Sequence, residues 1–253
     1  EHAPMKPYPL QFTPILKSKV CGGRSLERFN KPLPPDEPIG ESWEIADLPT
    51  PSADGGGGDA ALSTISNGEA QGLTIQQAIT ALGPTLMGAA KPHTHTTPDG
   101  DTFPHFPLLI KLLAASTTLS VQVHPSPAYA AANPDAHLKT ESWYIAHAEP
   151  GSVIYKGVKP GVTPDQFRKA IADNTVEDHM NAVPVQAGDV HHLPSGTCHA
   201  LGSGIVVAEV QTPSDTTYRV YDWGRTNRTL PIDQALQCIT DFAHPPPQDP
   251  SRP

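Results

Sequence analysis

Apolar and polar residues alternate one by one from Thr118 to His124, Thr-Leu-Ser-Val-Gln-Val-His. In an extended strand this puts Leu119, Val121 and Val123 on one face and Ser120, Gln122 and His124 on the other. The apolar face suits packing. The polar face either lies in solvent or lines a cavity for a metal or a polar ligand. Other stretches repeat the extended pattern. Pro7 to Val20 alternates loosely into Gly22-Gly23, which predicts an edge strand entering a turn. Gly40 to Ile45 predicts a strand with Glu41 and Trp43 on one face. Phe106 to Ala115 is a nearly continuous apolar run, as expected of a strand buried on both faces. Its one charge, Lys111, must reach solvent or meet an anion, because an unpaired buried ammonium is costly. Lys139 to Ile145, Val183 to Val190 with a turn at Gly188-Asp189, Gly204 to Gln211, and Thr216 to Trp223 bring the expected strands to eight or nine.

Helical spacing is confined to short pieces. Apolar residues at 75, 78, 79 and 82 follow Thr74 as N-cap and meet a stop at Gly83-Pro84. The alanine-rich Pro125 to Leu138 predicts a short helix, and Thr163-Pro164 opens another that runs to Ala172. Pro231 to Phe242 is amphipathic, with Ile232, Ala235, Leu236 and Ile239 on one face. Lys91 to His105, with His93, His95 and His105, is expected to be a solvated loop. The four-glycine run within Ser52 to Asp59 predicts a flexible surface loop. The Asn227-Arg228-Thr229 triplet is given no meaning without a secretion signal.

Composition fits this pattern of many turns. Thirty prolines and twenty glycines stand against six phenylalanines and three tryptophans, which favours short strands over a helical bundle. A net charge of -9 argues against a nucleic-acid partner, which needs a basic face, although a local basic pocket can still hold an anionic substrate. Cys21, Cys198 and Cys238 are too few and too scattered for a disulfide framework, which fits a reducing, cytoplasmic setting. No apolar stretch is long enough for a membrane span. The four residues before Met5 are set aside as an expression scar.

The strongest local signal runs from Gly188 through Pro194 and Gly196 to His199. It resembles the second signature of the cupin barrels, with Ser203 where that signature closes on Asn. In such a barrel a proline-glycine corner precedes a strand that delivers an imidazole inward. His199 then gives Gln122 and His124 a partner, and Glu141 supplies a fourth donor. Two imidazoles, a carboxylate and a carboxamide suit a divalent ion such as Zn2+, with a position open to water or substrate. Strand alternation points Cys198 away from that site.

Five motifs then occur in order: Phe106-Pro-Leu-Leu-Ile-Lys-Leu-Leu, Leu119-Ser-Val-Gln-Val-His-Pro125, Lys139-Thr-Glu-Ser-Trp-Tyr-Ile145, Gly196-Thr-Cys-His-Ala200 and Ser214-Asp-Thr-Thr-Tyr-Arg-Val-Tyr-Asp-Trp223. Together they resemble the type I mannose-6-phosphate isomerases, in particular the shorter bacterial class, from about Pro7 to Phe242. The resemblance implies an all-β, cupin-type double-stranded β-helix with a few short inserted helices. It implies a metal held by Gln122, His124, Glu141 and His199, and an active-site arginine at Arg219. Lys139 matches a pocket lysine, and Ser120 and Lys111 match residues near the substrate phosphate. Glu41 and Glu209 match carboxylates of the pocket wall. Two departures stand out: Cys21 replaces a tryptophan usual in the family, and the smaller second β domain that the family carries after this point is expected to be missing. Residues 5–243 are therefore expected to form one catalytic domain and 244–253 a disordered proline-rich tail, in a monomer or weak dimer.

The implied reaction is the interconversion of mannose 6-phosphate and fructose 6-phosphate through a cis-enediol. Lys139 and Glu209 are rival carriers of the proton that moves between C1 and C2, since such a group needs a pKa tuned towards neutrality. Two other readings use the same barrel: a metal-dependent cupin dioxygenase, which Lys111, Ser120 and Arg219 disfavour, and a non-catalytic sugar-phosphate sensor.

Overall fold

The structure is a computed structural model, and it describes residues 6–48, 60–90, 93–96, 102–133, 136–225 and 230–242. The four-glycine run, the Asn227 triplet, the N-terminal four residues and the proline-rich tail lie outside the described residues. In chain order the strands are β1 (Ile15–Gly23), β2 (Ile39–Ile45), β3 (Asp47–Leu48), β4 (Ala61–Leu62), β5 (His93–Thr96), β6 (Thr102–His105), β7 (Leu109–Ala115) and β8 (Val121–Val123). They continue with β9 (Glu141–Ala148), β10 (Val153–Val158), β11 (Met180–Pro184), β12 (Val190–Leu193), β13 (His199–Leu201), β14 (Ile205–Gln211) and β15 (Tyr218–Tyr221). The helices are α1 (Ile75–Leu82), α2 (Pro84–Met87), α3 (Pro127–Ala132), α4 (Pro164–Asp173) and α5 (Ile232–Cys238).

Eleven of these strands form two antiparallel sheets, ordered β1-β2-β7-β14-β9-β12 and β11-β10-β13-β8-β15. Sequence neighbours rarely pair within a sheet, so the chain crosses repeatedly between the two, as a jelly roll requires. Between the sheets, Leu113, Trp143, Ile145, Ile154, Leu193, Leu201 and Val207 form one apolar cluster. The outer face of the smaller sheet is closed by helices: Val121, Val123, Ala200 and Val220 pack with Phe167 of α4 and with Ala235 and Leu236 of α5.

Local chemistry sets the helix ends. Thr74 caps α1 reciprocally with Gln77, Thr163 does the same for α4 with Gln166, and Gly83 ends α1 at a φ of 48°. The amphipathic segment after Pro231 becomes α5, with Ala235, Leu236 and Ile239 buried.

Several expectations need adjustment. The alternating stretch from Thr118 to His124 is regular strand only over Val121–Val123; the residues at either end turn towards loops. Val183 to Val190 is not one strand: β11 and β12 belong to different sheets, and Gly188, at φ 99°, lies in the turn between them. The expected solvated loop at 91–105 contains the paired strands β5 and β6. His105 is buried there, with Nδ1 3.2 Å from Asp47 Oδ1; the side chains of His93 and His95 lie outside the described residues. The run at Phe106 to Ala115 is buried fully on one face only, since Ile110 and Leu112 are half-buried.

Candidate metal centre and substrate cleft

The inner faces of the two sheets carry nearly all of the candidate residues. On β8, alternation sends Val121 and Val123 outwards under the helices and Gln122 inwards. Gln122 lies opposite His199 of β13 on one side and opposite Arg219 of β15 on the other. In the larger sheet Glu209 of β14 is flanked by Lys111 of β7 and Trp143 of β9. The proline-glycine corner before β13 is tied to the end of β8 and to the segment after α5. Gly196 N–H donates to the carbonyl of His124 and Thr240 N–H donates to the carbonyl of Gly196. With φ at 91°, and with a Cβ there falling 2.7 Å from Thr240, this position admits glycine.

His124, Glu141 and His199 converge with all their ligand atoms within 4.8 Å of one another. His124 Nε2 stands 3.3 Å from Glu141 Oε2, and His199 Nε2 stands 3.1 Å from Glu141 Oε1. The Gln122 amide is 3.3 Å from His199 Nε2. Each imidazole has its other nitrogen against a backbone carbonyl: His124 Nδ1 on Thr216 and His199 Nδ1 on Thr197, both at 2.9 Å. A carbonyl can only accept, so each Nδ1 carries a proton and each Nε2 faces Glu141. Burial, followed by the nearby Lys139 charge, lowers the His124 pKa to about 3, so its ring is neutral. Burial would raise the Glu141 carboxyl, but its neighbours, the Lys139 ammonium foremost, pull it well below the usual range. The result is a neutral imidazole, His124, facing a carboxylate in a dry interior. His124 Nε2 and both Glu141 oxygens have no hydrogen-bond partner there. Such orphaned acceptors are expensive unless a cation joins them, and carbonyl-anchored imidazoles are the usual support of a metal ligand. The donor set therefore fits a divalent ion.

Beside this centre opens a cleft of about 270 Å3. Ser120, Gln122, Lys139, Glu209, Arg219, Glu41 and Lys111 all line it. Lys139 Nζ is 3.1 Å from Glu141 Oε2. Glu209 is buried and accepts from Trp143 Nε1 at 2.8 Å. Burial and then the Glu141 charge raise its pKa to about 7, against the pull of Lys139 and Lys111. Glu41 accepts from Trp43 Nε1 at 2.6 Å and lies 3.5 Å from Lys19 Nζ. Cys21 is on the cleft wall, and burial followed by the Glu41 charge raises its thiol pKa. Cys198 lies in the outer core, away from the centre.

Sequence reasoning passed over several cleft residues, among them Ser18 and Lys19 of β1, Asp215, Thr217 and Arg225. Asp215 bonds Lys111 at 3.2 Å, and Thr217 lines the wall near it. Arg225 is held by Asp222 Oδ1, 3.0 Å from its Nε, and by the Thr118 carbonyl, 3.0 Å from its Nη2. Asp215 and Thr217 sat inside a motif already noted. Arg225 lies in a turn after β15, where no periodicity marks it.

Comparison with known proteins agrees with this geometry. The family model described as "Phosphomannose isomerase type I, catalytic domain" matches residues 13–139. The probable mannose-6-phosphate isomerase GmuF of Bacillus subtilis is 34% identical over 249 residues, which span 94% of this chain and 72% of that protein. The mannose-6-phosphate isomerase of Streptococcus mutans is 34% identical over 238 residues, or 92% of this chain and 68% of that one. Among solved structures, the mannose 6-phosphate isomerase of Bacillus subtilis superposes with a TM-score of 0.74 at 32% identity, over 92% of this chain and 68% of its own. A mannose 6-phosphate isomerase solved with zinc bound shares the fold, at a TM-score of 0.62 and 15% identity over 94% of this chain and 76% of that one. With its two-sheet cupin barrel and its inward His-Glu-His set, the chain belongs to the type I mannose-6-phosphate isomerase family.

Proposed function

We propose that this chain interconverts mannose 6-phosphate and fructose 6-phosphate, moving a proton between C1 and C2 through a cis-enediol. The observation that carries the reading is the adjacency of the buried His124-Glu141-His199 set, three of whose atoms lack a hydrogen bond, to a cleft holding both an arginine and a carboxyl group with a pKa near neutrality. The relatives named above are isomerases, which does not favour the dioxygenase or the non-catalytic sensor.

His124, Glu141 and His199, with the Gln122 amide, would hold one divalent ion, and two imidazoles with a carboxylate suit zinc. When bound there, the ion supplies a Lewis acid that polarises a carbonyl or diol oxygen. Arg219, projecting from β15 opposite Gln122, places a permanent positive charge on the same wall. That charge stabilises the negative charge that grows on the enediol oxygens, and it does so without reorganisation because the strand fixes its position. Glu209 is the better-placed proton carrier by its electrostatics. A carboxyl with a pKa near 7 exists in both forms at neutral pH, so it can take a proton from one carbon and return it to the next. Lys139, held at 3.1 Å from Glu141, serves to anchor that carboxylate and to present an N–H to substrate oxygens. Ser120 offers a hydroxyl to the substrate from the residue two before Gln122.

A coupled assay that detects fructose 6-phosphate formed from mannose 6-phosphate tests the reading. Turnover that disappears on chelation and returns with a divalent ion supports it. Full turnover in chelated, metal-free protein overturns it.

A further inference from the structure

Lys111 stands in the middle of β7 with 3% of its surface exposed. Its ammonium is enclosed on every measured side. Nζ lies 3.2 Å from Asp215 Oδ1, 3.7 Å from Glu209 Oε1 and 3.9 Å from Glu41 Oε2, and the Trp43 ring centroid is 4.6 Å away. The three acidic groups come from separate parts of the chain: β14, β2 and the segment before β15. All three line the substrate cleft. Burial disfavours a charged lysine, yet Asp215, Glu41 and Glu209 reverse that effect and raise its pKa, so it stays protonated. The same ammonium helps to hold the Asp215 carboxyl below its ordinary value.

One cation surrounded by three acidic groups has no positive charge left to offer. A phosphate brought to this ammonium would meet the Asp215 carboxylate at close range and be repelled, with Glu209 and Glu41, the latter already shared with Lys19, filling the remaining sides. Sugar hydroxyls are different: they donate hydrogen bonds, and carboxylates accept them well. Without its counter-ion this wall would collapse, since carboxylates that share a dry site cannot all remain ionised.

We propose that Lys111 is a positioning residue, which fixes Asp215, Glu41 and Glu209 as the hydroxyl-facing wall of the cleft and makes no contact with the substrate phosphate. This rests on the isomerase reading. It differs from the phosphate contact that the family resemblance implies for this lysine.

The test combines calorimetric titration of inorganic phosphate into the metal-loaded full chain with kcat and KM for mannose 6-phosphate. It is run on the wild type, Lys111→Met, Asp215→Asn and the double variant. Phosphate affinity in Lys111→Met is expected to stay within about twofold of wild type while kcat falls by about tenfold or more. Adding Asp215→Asn is expected to recover part of that loss, because the two side chains act as a unit. A loss of phosphate affinity of about tenfold with kcat held, the size of one charge-assisted contact, overturns the inference. Strict additivity of the two substitutions overturns it as well. Where Lys111→Met does not fold, Lys111→Arg keeps the charge but puts a planar fork into a slot shaped for an ammonium. Its kcat is then expected to fall with phosphate binding unmoved; a change in phosphate affinity of about tenfold overturns the inference. Wild-type turnover decides the isomerase reading alone, and phosphate binding is read without turnover, so failure of one is distinguishable from failure of the other.

Discussion

Two buried charged clusters lie side by side in the barrel, and they are built on opposite principles. The Lys111 cluster contains its own cation: an ammonium sits among three acidic groups. The His124-Glu141-His199 cluster turns two imidazole Nε2 atoms towards a carboxylate, and three of its atoms, His124 Nε2 and both Glu141 oxygens, have no hydrogen-bond partner. Lys139 supplies one nearby charge at a single oxygen and leaves the centre of the triangle to be filled. The difference teaches how a fold marks a site. A cluster that carries its own cation at its centre shapes a wall, even with Glu209 Oε1 left without a hydrogen bond, whereas a cluster with no cation at its centre in a dry interior is a demand for a ligand.

The comparison can be broken at either cluster. The largest effect is expected at the incomplete one. His199→Asn should bring divalent-metal content to background by elemental analysis and lower turnover by about a thousandfold or more, several kcal/mol of lost charge stabilisation. It should also abolish any rise of Tm on adding zinc; a variant that keeps both metal and Tm rise would end the reading of this cluster as a metal centre.

At the Lys111 cluster, which holds its own cation, the expected effect falls on stability. Lys111→Met removes the cation shared by Asp215, Glu209 and Glu41, of which Glu41 keeps Lys19, and should cost about 3–5 kcal/mol in urea unfolding of the metal-free protein. A cost below about 1 kcal/mol would show that the two clusters do not differ as argued.

Arg219→Ala should lower kcat by about a hundredfold with a much smaller change in KM, as for a contact made mainly in the transition state. The reverse split would make the arginine a ground-state binding residue.

Glu209 joins the two clusters, because its pKa is raised by Glu141 and restrained by Lys111. A carboxyl raised from 4.5 to about 7 stays protonated over a wider acid range, so base-form activity is lost as pH falls through the folded value. The acid limb of kcat/KM should therefore lie above 4.5, and at or below about 7 once a cation occupies the neighbouring donor set. Glu209→Gln should remove that limb along with most of the activity. A limb that persists in the variant would assign it to another group.

The smallest effect tests the scaffold alone. Thr163→Ala removes one half of the reciprocal cap of α4 and should cost about 1 kcal/mol with kcat unchanged; any loss of kcat would mean that the outer helices do more than cover the sheet.

Much of this molecule could be read from local pattern. Alternation about Gln122 separated an inward amide from outward valines, and the caps at Thr74 and Thr163 marked their helices to within a residue. These succeed because side-chain direction in a strand and donor satisfaction at a helix end depend on residues a few positions apart. The errors arose where sequence distance hides spatial neighbours. His105 was expected in solvent, yet Asp47, far back in the chain, encloses it. The stretch from Val183 to Val190 was expected as one strand because its pattern does not show that its two ends join different sheets.

By itself the sequence determined which residue types were available and which way most of them point: the imidazole pair, the carboxylate, the arginine, and the polar face of Thr118 to His124. Only the tertiary structure decided their chemical state. Two carbonyls, on Thr216 and Thr197, each fix a proton on Nδ1 of His124 and His199. Asp215, which lies 104 residues from Lys111, turns a lone buried lysine into the centre of an acidic wall. The physical reason is that charge and protonation depend on distance and burial, which strand pairing across the barrel creates and which no local stretch of the chain encodes.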